Sequence, residues 1–137
     1  MSKKRVLVVD DHDLNLKLMM YLLATEDCEV VTALNAEQAR ASMRENKPDL
    51  VLLDLQLPDL DGLSLTRLLR ADPAFVDLTI VAVTAYAMKG DEERARAAGV
   101  DHYVTKPIAK DAFRSMVARL LAHESADTNV GASPAHL

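Results

Sequence analysis

The chain has 137 residues, half of them apolar and 27% charged, with a formal net charge of −5; this is the balance of one soluble domain able to bury a core without disulfides or structural metals. An acidic chain is a poor general nucleic-acid surface, and its only basic cluster, Lys3, Lys4 and Arg5, reads as solvated terminal charge. The lone Cys28 excludes an internal disulfide and a multi-cysteine metal site, and reads as filler in a reducing compartment, while the apolar run Val6–Val9 is too short for a signal peptide or a membrane span, so a cytoplasmic protein is expected.

Taken in chain order, short apolar runs alternate with longer amphipathic ones, the pattern of a parallel sheet wrapped by helices. The first strand, RVLVV from Arg5, leads straight into Asp10, Asp11 and Asp13, and Asp13 is placed to cap a helix from Leu14. In that helix Asn15, Leu18, Met19, Leu22 and Leu23 share one arc and are assigned to the core. Leu16 and Met20 are left outside it, as a candidate docking patch for a helical partner. EVVTA from Glu29 is the second strand, and Asn35 caps the helix AEQARASMREN, which Pro48 stops. LVLLD from Leu50 is the third strand, followed by a helix from near Gly62 to Leu69 that the Asp72-Pro73 step ends. TIVAV from Thr79, the helix DEERARAA closed by Gly99, HYVT from His102 and the helix KDAFRSMVARLLA complete the series, with the last helix expected to end near Ala122. Residues 123–137 lose periodicity and read as a flexible tail beyond a single domain at 1–122. The near-continuous apolarity of the first, third and fourth strands marks them as the inner ones.

Strands of a parallel sheet end on one side, and ligands bind beyond those ends. Asp10 and Asp11 follow the first strand, Asp54 ends the third, Thr84 follows the fourth and Lys106 the fifth. Carboxylates gathered this closely repel one another unless a cation joins them or some take up protons. Oxygen ligands favour Mg2+ over zinc, and Mg2+ usually keeps waters and a phosphate oxygen beside one or two carboxylates. Lys106 and Thr84 suit phosphoryl oxygens, so the set points to a phosphoryl group attached to a carboxylate. His12 adjoins the set but is read as an exposed neutral imidazole and left out of it.

The segments VVDDHDLN, PDLVLLDLQLPDLDGL, VAVTAYA and YVTKPI make the chain resemble the receiver domains of two-component response regulators over roughly Lys4 to Ala122. AVTAYAMKGDEERARAAG is most similar to the stand-alone cell-cycle regulators of the DivK type. The resemblance implies an α/β flavodoxin-like receiver fold, a single doubly wound five-stranded parallel sheet of order 2-1-3-4-5 with five helices. It implies Asp54 as phosphoacceptor and metal ligand, Asp11 as a direct Mg2+ ligand, Asp10 as a ligand through water, and Gln56 as a ligand by its backbone carbonyl. Thr84 and Lys106 then hold the phosphoryl oxygens, Thr84 and Tyr103 form the switch, Gln56 and Tyr86 tune the lifetime of the phosphorylated state, and Pro107 sits where the family has a cis bond. The implied donor is a histidine kinase or histidine phosphotransfer protein. The implied output is contact with a downstream protein partner, through a switch that assists its own phosphorylation and dephosphorylation rather than an enzyme. Two other classes are weighed and set aside. A haloacid dehalogenase-type phosphatase needs a second Asp two places after the nucleophile, where this chain has Gln56, and a flavin phosphate would be repelled by Asp10 and Asp11.

Overall fold

Residues 3–85 and 88–130 are described by the structure, a computed structural model, with side chains as far as Ala122. Strand β1 (Lys4–Val9) alternates its side chains between two covered faces, which is why four apolar residues in a row can all be buried there. It is followed by α1 (Asp13–Leu23), β2 (Cys28–Ala33), α2 (Ala36–Glu45), β3 (Leu50–Asp54), α3 (Gly62–Ala71), β4 (Thr79–Thr84), α4 (Asp91–Ala98), β5 (His102–Thr105) and α5 (Lys110–Val130). The strands pair in parallel in the order β2-β1-β3-β4-β5, so β1, β3 and β4 are the inner strands, as their apolarity requires.

Alternation along the inner strands sorts the core into two layers. Leu7, Val9, Val51, Leu53, Ile80 and Ala82 face α2, α3 and α4, meeting Ala39, Met43, Leu65, Leu69 and Ala95. Val6, Val8, Leu50, Leu52, Val81 and Val83 face α1 and α5, meeting Leu16, Met19, Leu22, Phe113 and Val117. Cys28 packs at the margin of this second layer, and burial pushes its thiol pKa up, as befits a small apolar filler.

Three expectations are corrected. The buried stripe of α1 is Leu16, Met19, Leu22 and Leu23, so Leu16 belongs to the core at 7% exposure while Leu18 is 43% exposed. The helix has apolar residues on every face, so spacing alone does not fix which arc turns inward; its seat on Val6 and Val8 does. Asp13 does not cap α1 from outside but is its first residue. The N-cap is His12, which makes no side-chain cap bond, and Asp13 contributes negative charge to the first turn. Helix α5 runs past Ala122 to Val130, because HESADTNV contains neither glycine nor proline to break it.

Candidate phosphoacceptor and metal site

Each strand delivers one functional group to the carboxyl edge of the sheet, β2 excepted. Asp10 leaves β1 with its backbone N–H still bonded to the Ala33 carbonyl at 3.0 Å, which prolongs the ladder and holds the side chain in place at 3% exposure. Asp54 is the last residue of β3, paired with Val83 and 5% exposed. Thr84 is the last residue of β4 and is buried, and beside it Lys106 leaves β5 with its N–H bonded to the Thr84 carbonyl at 2.8 Å. The Lys106–Pro107 peptide bond is cis, as in the family the sequence resembles.

These groups converge. The Lys106 ammonium lies 3.2 Å from Asp10 Oδ2 and 3.6 Å from Asp54 Oδ2. Asp54 Oδ1 accepts the Gln56 backbone N–H at 2.9 Å, and Asp10 Oδ1 accepts the His12 backbone N–H at 2.9 Å. Burial raises the Asp54 carboxyl pKa, with Asp10 and Asp11 pushing the same way, while the Gln56 N–H and Lys106 oppose the rise.

Asp10, Asp11, His12 and Asp54 each place a ligand atom within 4.8 Å of the others. Among them Lys106 offers one positive charge to three carboxylates, and this excess of hard oxygen donors fits a divalent cation. His12, which the sequence reading sets aside, is part of the cluster: its Nδ1 lies 3.0 Å from Asp11 Oδ1 and 3.3 Å from Asp10 Oδ1. The only signal for it in the sequence is its place in the turn two residues after Asp10.

The other expected residues fall as follows. Tyr103 is half-buried on β5, and its hydroxyl is buried without a hydrogen-bond partner among the described residues. The residue lines a cleft of about 590 Å3 together with Met88, Gly90, Glu93 and Arg96, between α4 and β5. Met20 is 47% exposed on α1 and remains on that surface without Leu16; Leu14, Leu18 and Tyr21, spaced i, i+4 and i+7, are exposed together on a neighbouring face of the helix. Tyr86 lies outside the described residues. Gln56 is exposed in the loop after β3, where its backbone faces Asp54.

A doubly wound parallel sheet with an acidic cluster, a threonine and a lysine at its carboxyl edge defines a flavodoxin-like α/β domain with a strand-end site. The family model described as the response regulator receiver domain matches residues 6–118, and the chain belongs to that family. Among curated relatives, the polar-differentiation response regulator DivK of Brucella anthropi is 42% identical over 110 residues, 80% of this chain and 89% of that one. DivK of Brucella ovis is 41% identical over the same shares. Among solved structures, a CheY-like receiver domain protein from Methanospirillum hungatei superposes with a TM-score of 0.83 at 27% identity, covering 92% of this chain and 99% of that one. The receiver domain of a sensor histidine kinase from Pseudomonas aeruginosa, solved with a magnesium ion coordinated in its active-site cleft, gives a TM-score of 0.79 at 30% identity, covering 88% and 99%. The chain is thus a receiver domain of two-component signalling similar to the DivK regulators.

Proposed function

We propose that Asp54 accepts a phosphoryl group from the phosphohistidine of a histidine kinase or histidine phosphotransfer protein, in a Mg2+-dependent reaction that changes the partner-binding surface. The observation that carries this reading is the burial of Asp54 at the end of β3, 3.6 Å from the Lys106 ammonium and clustered with Asp10 and Asp11. An Asp54 oxygen attacks phosphorus as the bond from phosphorus to the imidazole nitrogen breaks; that nitrogen keeps the electron pair and takes a proton from solvent. Asp11, Asp54 and the Gln56 carbonyl would hold Mg2+ directly and Asp10 would hold it through water; when bound, the ion supplies positive charge against the phosphoryl oxygens. Lys106 holds one of those oxygens and the Thr84 hydroxyl donates to another.

Thr84 and Tyr103 are the switch in this reading. Among the described residues the buried Tyr103 hydroxyl has no partner, which costs about 1–3 kcal/mol, so a rearrangement that pairs it is favoured, and Tyr103 borders the cleft beside α4. The exposed apolar face of α1 formed by Leu14, Leu18 and Tyr21, with Met20 to one side of it, is the surface for the phosphodonor, while a downstream protein reads the α4 and β5 side. The chain acts as a switch that assists its own phosphorylation rather than as an enzyme. It works in the cytoplasm, where its phosphodonor is, and its acidic balance suits contact with protein rather than nucleic acid. Among the described residues no helix is long and apolar enough to cross a membrane. The polar-differentiation role in the relatives' name supports a slow, developmental output.

Incubation with acetyl phosphate and Mg2+ is expected to add one phosphoryl group by intact mass, and Asp54→Asn or chelation of the metal to abolish the gain; an Asp54→Asn protein that still labels would overturn the assignment. The labelled protein also reports lifetime. Gln56 and Tyr86 flank the approach of water in the family, neither is acidic, and the bulk of Tyr86 is expected to slow hydrolysis. Tyr86→Ala should therefore release phosphate faster than wild type, and equal decay would remove Tyr86 from this role.

A further inference from the structure

The loop from Leu55 to Asp61 carries Gln56, and its shape decides where the Gln56 carbonyl stands relative to Asp10 and Asp11. Its two ends are fixed locally. Gln56 N–H donates to Asp54, the Gly62 N–H donates to the Leu55 carbonyl at 2.9 Å, and the Asp61 carboxylate caps α3 through Ser64 N–H at 2.9 Å. The middle of the loop is held from elsewhere in the chain. Asp59 reaches α2, where Oδ1 accepts the Ala36 N–H at 2.9 Å and Oδ2 accepts the Glu37 N–H at 3.0 Å.

Those two N–H groups belong to the first turn of α2 and have no partner within the helix. The next one, Gln38 N–H, is taken by the Asn35 side chain at 2.8 Å. With the Leu60 N–H also on Oδ1 at 2.9 Å, three donors on two oxygens fix the orientation of the carboxylate as well as its distance, and the bond from Ala36 leads the groups that lower the Asp59 pKa. The start of α2 is itself tied to the metal-site acids, because Ala33, at the end of β2, accepts the Asp10 N–H. A ring of contacts therefore runs from Asp10 to Ala33, along the chain to Ala36, across to Asp59, and back through Gln56 to Asp54, and the Lys106 ammonium, 3.6 Å from Asp54 and 3.2 Å from Asp10, closes it.

We infer that Asp59, which is not part of the cluster of Asp10, Asp11, His12 and Asp54, is a positioning residue for the metal site: by bonding to the first turn of α2 it sets the distance between the Asp10–Asp11 turn and the Gln56 carbonyl. The inference rests on the reading of Gln56 as a metal ligand given above. Mg2+ demands a near-ideal octahedron, so a loop free to drift by a fraction of an ångström binds it less well, and outer contacts of metal sites have effects on the order of tenfold or more in affinity.

The test is titration of the full chain with Mg2+ alone, followed by calorimetry and by the Gln56 amide signal, for wild type, Asp59→Ala, Asp59→Asn and Asn35→Ala. Asp59→Ala should weaken binding about tenfold, and Asp59→Asn, which keeps one acceptor for α2, should fall between it and wild type. Asn35→Ala removes a bond at the same helix end without touching the loop, so it should lower thermal stability yet bind Mg2+ as wild type does. Equal weakening by the two substitutions of Asp59 would show a long-range charge effect and overturn the inference. So would equal weakening by Asn35→Ala, or an Asp59→Ala protein that binds normally. A wild type that binds no Mg2+ would instead overturn the metal-site reading itself, and this inference with it.

Discussion

Lys106 stands where a bound cation would be most welcome, 3.2 Å from one buried carboxylate and 3.6 Å from another. Its ammonium therefore has two opposed effects: without metal it offsets the repulsion among Asp10, Asp11 and Asp54, and toward metal it competes for the same oxygens. Lys106→Gln is expected to bind Mg2+ more tightly, by severalfold, where tenfold corresponds to about 1.4 kcal/mol. The same variant should accept the phosphoryl group from acetyl phosphate more slowly, since the transferring oxygens lose a counter-charge. Calorimetry and an intact-mass time course measure the two effects separately, and unchanged Mg2+ affinity would show that Lys106 does not contend with the ion. Lys106 and the three acids are legible in the sequence because parallel topology brings every strand end to one edge, whatever the intervening length. The ties of Asp59 to Ala36 and of Arg70 to Gly99 are not, because each joins segments more than twenty residues apart without a local pattern to announce it.

Helix α3 follows directly on the loop that leaves Asp54, and a glycine permits its close approach. A Cβ on Gly62 would stand 2.7 Å from the Leu55 Cα and 2.8 Å from the Asp54 carbonyl oxygen, both backbone atoms that cannot swing aside as a side chain can. Alanine gains about 1 kcal/mol in helix propensity over glycine, but overpacking against fixed atoms costs about 1–3 kcal/mol, so the clash outweighs the gain. Gly62→Ala is expected to lower the urea midpoint, and an equal or higher midpoint would show that the loop gives way freely. From sequence, Gly62 reads as the start of a helix, whereas the structure needs it for space. Element bounds are legible where composition changes abruptly: β3 starts directly after Pro48-Asp49, and α4 begins at Asp91 and closes at Gly99. They are poorly legible where it does not, as in α1, apolar on every face, and in α5, whose polar extension has no breaker before Gly131.

Across the whole molecule, α4 is held firmly at one end and lightly at the other. Arg70, from α3, donates to the carbonyls of Gly99 at 2.8 Å, Leu78 at 2.7 Å and Val76 at 3.0 Å, and to Asp101 Oδ2 at 2.9 Å, and that same oxygen accepts the Ile80 N–H at 2.8 Å. Gly99 has a φ of 120°, and a Cβ there would lie 2.6 Å from Arg70 Cγ, so the close of α4 and the start of β5 are locked to α3 and β4. The opposite end of α4 has no such anchor among the described residues. Its buried residues, Ala95 and Ala98, both lie in its second half, and its first turn is Asp91, Glu92 and Glu93. Beside that first turn lies the cleft that Tyr103 lines. A shift in the balance between two packed arrangements is met with least resistance where few buried contacts must break. Adding beryllofluoride with Mg2+ as a phosphoryl mimic is therefore expected to move the amide signals of residues 88–93 and Tyr103 strongly, and those of Arg70, Gly99 and Asp101 little, so that α4 turns about its fixed end. Chelating the metal should reverse the change. Shifts confined to the loops around Asp54 would show that the site does not speak to this face, while equal shifts at both ends of α4 would show that Arg70 is not the anchor.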